Sequence, residues 1–174
     1  MRVVNIPGHV PDVTDRISND AVRQVLEESG IEYLVTLPES LYEVLLRDLI
    51  TGSSIKVIQV CRESEGIGIC SGLTYGGKKA ATLYSFKGFY NSIDSLQGCA
   101  VRTESSFLML ISEASAQTKA GARDPEGGCF TADLLKALMI PYYEVTSNAE
   151  LPVIKQALEQ TKTSTKPVAV ILRW

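Results

Sequence analysis

RESEGIGICSGLTYGGKKAATLY, Arg62 to Tyr84, is the stretch whose reading decides the fold. It begins just after an apolar run, Lys56 to Val60, and ends in another, Ala80 to Tyr84. Both runs have strand length, and the stretch from Glu63 to about Tyr75 has helix length. The helix is made of small residues, with Gly66, Gly68 and Gly72 in its body. Each glycine there costs up to about 1 kcal/mol relative to alanine. A helix that carries this load needs close backbone approach, either to a neighbour or to a ligand.

The same alternation extends in both directions. Upstream, Ser18 or Asn19 opens a helix to Ser29, ended by Gly30. Tyr33 to Leu37 is a strand stopped by Pro38, and Ser40 opens a helix through Ile50. Downstream come a helix from Phe89 to about Val101 and a strand from Phe107 to Ile111. Gln117 to Gly128 is a polar, glycine-containing loop, longer than most connections and so a candidate for function. Then follow a helix Thr131 to Met139, a strand Tyr142 to Val145, a helix Glu150 to Lys162 and a strand Pro167 to Leu172. Six short apolar strands alternating with helices predict an α/β fold: a three-layer α/β/α domain with a six-stranded parallel sheet. Residues 1–18 read as an N-terminal arm and 19–174 as the domain.

The 174 residues suit one domain with its own core. A net charge of −3, without a basic stripe, does not favour nucleic acid. No segment approaches the roughly 20 apolar residues of a membrane span, and Pro7 and Pro11 interrupt the N-terminus, so a soluble cytoplasmic protein is expected. Cys61, Cys70, Cys99 and Cys129 lack a CxxC spacing and His9 is the single histidine, which argues against a metal site. The cysteines read as reduced, Cys61, Cys70 and Cys99 as packing residues, and His9 as structural or exposed.

In a parallel α/β sheet, ligands sit beyond the carboxyl ends of the strands. That rule selects Leu37 to Ser40, Cys61 to Gly66, Ser85 to Ser92, and the segment from Ser112 into the long loop. Glu63 stands in the first turn of the glycine-rich helix. On local grounds Glu63 and Glu65 can simply complement the helix dipole, each by about 0.3–1 kcal/mol. A catalytic carboxylate is the other reading.

Three of these stretches resemble one family. Arg62 to Tyr84 resembles the glutamate-bearing segment of the thiamine diphosphate-dependent decarboxylases, in which an acid lies nine residues before a helical glycine. Counting back from Gly72 gives Glu63, with Glu65 the alternative. LPESL resembles the family's Pro-Asp-Ser-Leu, and GFYNSIDSL its Gly-Leu-Gly-Asn-Ser/Thr-Ile/Val-Asn-Leu. The chain is most like the α subunits of sulfopyruvate decarboxylase and the N-terminal domain of phosphonopyruvate decarboxylase. The order agrees from about Ala21 to Val145.

The resemblance implies a pyrimidine-binding domain in which Glu63 hydrogen-bonds the aminopyrimidine of thiamine diphosphate and promotes removal of the thiazolium proton. The activated cofactor then adds to a small anionic 2-oxo acid, and carbon dioxide leaves. It also implies Pro38, Glu63, Gly88 and Asn91 at the cofactor, and Ser40, Lys87, Tyr90 and Asn91 at the substrate. The chain has no Gly-Asp-Gly, the motif that holds the diphosphate through Mg2+ in this family. The implied arrangement is a hetero-oligomer, α2β2 or larger, whose β subunit holds the diphosphate and Mg2+. The α chain alone would then be inactive.

Each substrate residue has an ordinary alternative. Ser40 can be an N-cap, Asn91 and Ser92 a helix entry, and Lys87 a solvated surface lysine. Lys119 and Arg123 can close over an anion or lie in a solvated loop. Phe86-Lys87-Gly88-Phe89-Tyr90 departs from the small residues of the relatives, and Glu39 replaces their aspartate. A carboligase of the same superfamily, and a non-catalytic module that keeps the fold, remain open readings.

Overall fold

The computed structural model describes residues 16–113 and 130–174. His9, Lys119, Arg123, Cys129, the expected loop and most of the expected arm lie outside the described residues. Of the arm, Ile17 is buried in the core, and Ser18 caps α1 (Asn19–Glu28) by accepting from Ala21 N–H at 3.2 Å.

The strands are β1 (Tyr33–Thr36), β2 (Lys56–Gln59), β3 (Ala80–Ser85), β4 (Leu108–Glu113), β5 (Tyr142–Val145) and β6 (Val168–Arg173). All pair in parallel, in the order β2-β1-β3-β4-β6-β5. The expected six-stranded parallel sheet is present, each end within two residues of its expected place.

Successive residues of a strand face opposite sides, and this pleat makes the three layers. Leu34, Leu83, Leu108, Leu110, Val170 and Leu172 pack under α1, α2 (Glu43–Gly52) and α7 (Val153–Thr161). Val35, Tyr84, Met109, Ile111 and Ile171 pack on the other face, under α3 (Glu63–Tyr75) and α6 (Thr131–Ala137). Because both faces are covered, the central strands are continuously apolar and almost wholly buried.

Two expected helices are subdivided. The one expected from Phe89 to Val101 starts three residues earlier, as α4 (Phe86–Asn91), because Ser85 Oγ accepts from Gly88 N–H at 3.4 Å. It breaks at Ser92, whose hydroxyl donates to Phe89 C=O at 2.8 Å and so competes with the helical bond. A short α5 (Ile93–Ser95) and a wide π turn (Leu96–Val101) follow. Ser40 does not open α2 either. Ser40–Tyr42 is a 3₁₀ turn, and neither that turn nor α2 has a side-chain cap.

The order reverses between β1 and β3, which opens a crevice at their carboxyl ends. Two buried side chains hold that crevice. Thr36 Oγ1 donates to Leu83 C=O at 2.7 Å, and Tyr42 OH donates to Leu37 C=O at 2.7 Å.

Farther along the sheet, buried Glu113 ends β4 and pairs with Arg173 at 3.2 Å; Arg173 also meets Glu144 at 3.1 Å. Burial raises the Glu113 pKa above its ordinary value of 4.5, with Thr131 and Arg173 offsetting part of the rise. The native state therefore binds this proton more tightly than the unfolded chain. Its contribution is fully present below the unfolded pKa and is lost as pH rises through the folded one. Glu113→Gln is expected to reduce the fall in urea midpoint between pH 4.5 and pH 7. An unchanged fall would show that Glu113 does not titrate across this range.

No helix among the described residues is long and apolar enough to cross a membrane.

Candidate active site

The first turn of α3 leaves the carboxyl end of β2 and carries Glu63 beside the crevice between β1 and β3. Glu63 is half-buried. Its Oε2 accepts a hydrogen bond from Asn91 Nδ2 at 2.8 Å. The other side of the carboxyl lies on the backbone of Gly88, where a Cβ would stand 2.7 Å from both Cγ and Oε1 of Glu63. Gly88 and Asn91 are three apart on α4 and so share a face. Together they grip the carboxyl from two sides.

This geometry separates Glu63 from Glu65. Glu65 is exposed, and its Oε2 accepts from Cys61 N–H at 3.1 Å. That bond satisfies a backbone donor at the start of α3, a structural role. Glu63 keeps Oε1 without a hydrogen bond among the described residues.

The remaining expected residues are spread around this trio. Pro38 and Ser40 are exposed after β1, and Ser40 caps no helix, which removes its ordinary alternative. Lys87 is exposed in the first turn of α4, with Nζ 5.7 Å from the centre of the Phe86 ring. Tyr90 turns toward α6, its hydroxyl 3.4 Å from Thr131 Oγ1. No hydrogen bond joins Ser40 or Lys87 to Glu63 among the described residues.

Sequence reasoning missed the supports beneath the site. Tyr42 is 1% exposed. Burial raises its pKa, and nearby Glu39 and Glu63 add to the rise, so the phenol stays neutral and keeps donating. Glu39 has a buried Oε2 with no partner among the described residues, beside this tyrosine. Thr36 gave one signal, a hydroxyl at the end of an otherwise apolar strand. Tyr42 gave none, because an aromatic residue in a helical run reads as core.

Gly88→Ala is expected to lower any activity that depends on Glu63 by about 10- to 100-fold, since a small misplacement of a reacting group has that cost. The fold should survive, because the glutamate side chain can swing away. Circular dichroism together with turnover checks both halves. Full activity in the variant would show that the grip is unimportant.

No family model matches the chain. Over 157 residues, 89% of this chain and 93% of the relative, it is 31% identical to sulfopyruvate decarboxylase subunit alpha of Methanococcus maripaludis. The chain belongs to the sulfopyruvate decarboxylase α-subunit family. A longer relative, sulfopyruvate decarboxylase of Methanosarcina acetivorans, is 22% identical over 85% of this chain, which spans 38% of that protein. Among solved structures, a Mycobacterium smegmatis protein described as a thiamin diphosphate-dependent enzyme shares the fold, with a TM-score of 0.69 at 18% identity. That match covers 89% of this chain and 30% of the solved one.

Proposed function

We propose that this chain is the pyrimidine-binding subunit of a thiamine diphosphate-dependent decarboxylase for a small anionic 2-oxo acid such as sulfopyruvate or phosphonopyruvate. The observation that carries the reading is Glu63, with one oxygen held by Asn91 and the other left open over Gly88. The family name, with its sulfopyruvate and its α subunit, supports the substrate class and the existence of a partner. The Methanosarcina acetivorans relative supports the partner further, since more than half of its length lies beyond the match.

The residues present fit the aminopyrimidine end of the cofactor. A carboxyl group with a free oxygen, beside a glycine that leaves room, can share a proton with a ring nitrogen. The Gly88 backbone lies at the same end, and Pro38 is assigned to it from the resemblance. When bound, thiamine diphosphate supplies the electron sink for loss of carbon dioxide. The task of this chain is to hold a proton at Glu63 Oε1 and to orient the reacting groups. Ser40, Lys87 and Tyr90 form the substrate side. Lys87 supplies a cation for a sulfonate, phosphonate or carboxylate. The diphosphate and Mg2+ are assigned to a β subunit, in a cytoplasmic hetero-oligomer.

The test is co-expression with the β chain and measurement of carbon dioxide release from sulfopyruvate and phosphonopyruvate. The complex should release it from at least one, and the α chain alone should not. A complex that turns over neither substrate, while a ligated ketone accumulates from other 2-oxo acids, would favour the carboligase. Absence of cofactor binding by the complex would favour a non-catalytic module.

A further inference from the structure

We infer that Asn91 is a positioning residue for Glu63, one that decides which carboxylate oxygen faces the cofactor, and is not itself a contact to substrate. The inference rests on the function proposed above. It starts from the way the site divides the two oxygens. Asn91 Nδ2 donates to Oε2 at 2.8 Å, and no other hydrogen bond to the Glu63 carboxylate exists among the described residues. Oε1 lies instead over Gly88, where a side chain would occupy its place. The carboxyl plane is thus set before any ligand arrives, with Oε1 left free.

Asn91 is exposed at the last position of α4, on a buried footing. Its helix neighbours Gly88 and Phe89 are buried, and Ser92 is 1% exposed, with its hydroxyl bonded to Phe89 C=O at 2.8 Å. The same helix therefore delivers the donor for one oxygen and the gap for the other.

Three variants separate this role from substrate binding and from plain packing. Asn91→Ala in the αβ complex should lower kcat by about 10- to 100-fold, the worth of one hydrogen bond to a charged group, and leave KM for the 2-oxo acid nearly unchanged. Asn91→Asp keeps the shape but loses the donor and sets a second carboxylate against Glu63. It should be worse than Asn91→Ala. Asn91→Gln, which restores a donor, should recover part of the loss. A packing role predicts the opposite order, with Asn91→Asp close to wild type. A substrate role predicts a raised KM.

A readout independent of the loaded enzyme is the side-chain amide NMR signal of Asn91 in the full α chain without cofactor. One of its two protons should be shifted downfield in wild type and return to the usual position in Glu63→Ala. An unshifted signal, a raised KM, or an Asn91→Asp variant as active as wild type would overturn the inference. If Glu63→Gln were fully active, the function reading would fall instead. If Glu63→Gln were dead and Asn91→Ala unaffected, only the positioning role would fall.

Discussion

Glu63→Gln in the αβ complex is expected to lose decarboxylation by about 10²- to 10⁴-fold, the range for removing a positioned proton-transfer group, with its fold intact. The amide is nearly the same size, so packing over Gly88 is kept. The interaction with the α3 dipole is worth only about 0.3–1 kcal/mol, so the melting midpoint should barely move. The chemistry changes more than the shape. Asn91 presents a donor at 2.8 Å and will select the amide oxygen of the new glutamine. The amide NH2 is then turned toward the position of Oε1. There it can donate to an unprotonated pyrimidine nitrogen but has no proton to yield, so the variant keeps a contact and loses the proton transfer. Glu65→Gln is the matched control. Its oxygen can still accept from Cys61 N–H, and activity should be retained. If Glu65→Gln were inactive and Glu63→Gln active, the assignment would move by two residues along the helix.

Much of this site was legible in the sequence because the rule about strand ends does not depend on contacts. Short apolar runs closing at Leu37, Val60 and Tyr84 mark the carboxyl ends of β1, β2 and β3, which lie side by side at one edge of the sheet. The residue count to Gly72 selected Glu63. The mutual grip of Glu63, Gly88 and Asn91 was not legible, since it depends on where α4 begins. Sequence periodicity placed that helix at Phe89, because Lys87 and Gly88 look like loop. The Ser85 cap draws both into the helix and brings Gly88 and Asn91 onto one face. Of the three glycines in the body of α3, one meets close neighbours. Gly66 is closely approached by Tyr84 and Val35, whereas nothing would meet a Cβ on Gly68 or Gly72 within 4 Å.

Gly66→Ala should therefore destabilise the domain by about 3 kcal/mol, at the upper end for an overpacked core. That is a large part of the roughly 5–15 kcal/mol that holds a domain folded. The new methyl would clash with Tyr84 Oη and fall 2.9 Å from Val35 Cγ1. Neither neighbour can swing out, since Tyr84 is 3% and Val35 0% exposed and both stand on central strands. The helix propensity gained, up to about 1 kcal/mol, is too small to offset this. Tyr84→Phe supplies the internal check. Its hydroxyl is buried and has no hydrogen-bond partner among the described residues, so removing it alone should stabilise the fold by about 1 kcal/mol. In the double variant the worst contact disappears, while Val35 Cγ1 and Tyr84 Cζ remain close, at 2.9 and 3.1 Å. Partial rescue follows, with a coupling of about 1–2 kcal/mol between the two sites. Gly68→Ala and Gly72→Ala should both raise the melting midpoint of the α chain, because only the propensity gain applies. Strictly additive effects for Gly66 and Tyr84 in urea unfolding would rule out the contact between that hydroxyl and the first turn of α3, the turn that carries Glu63.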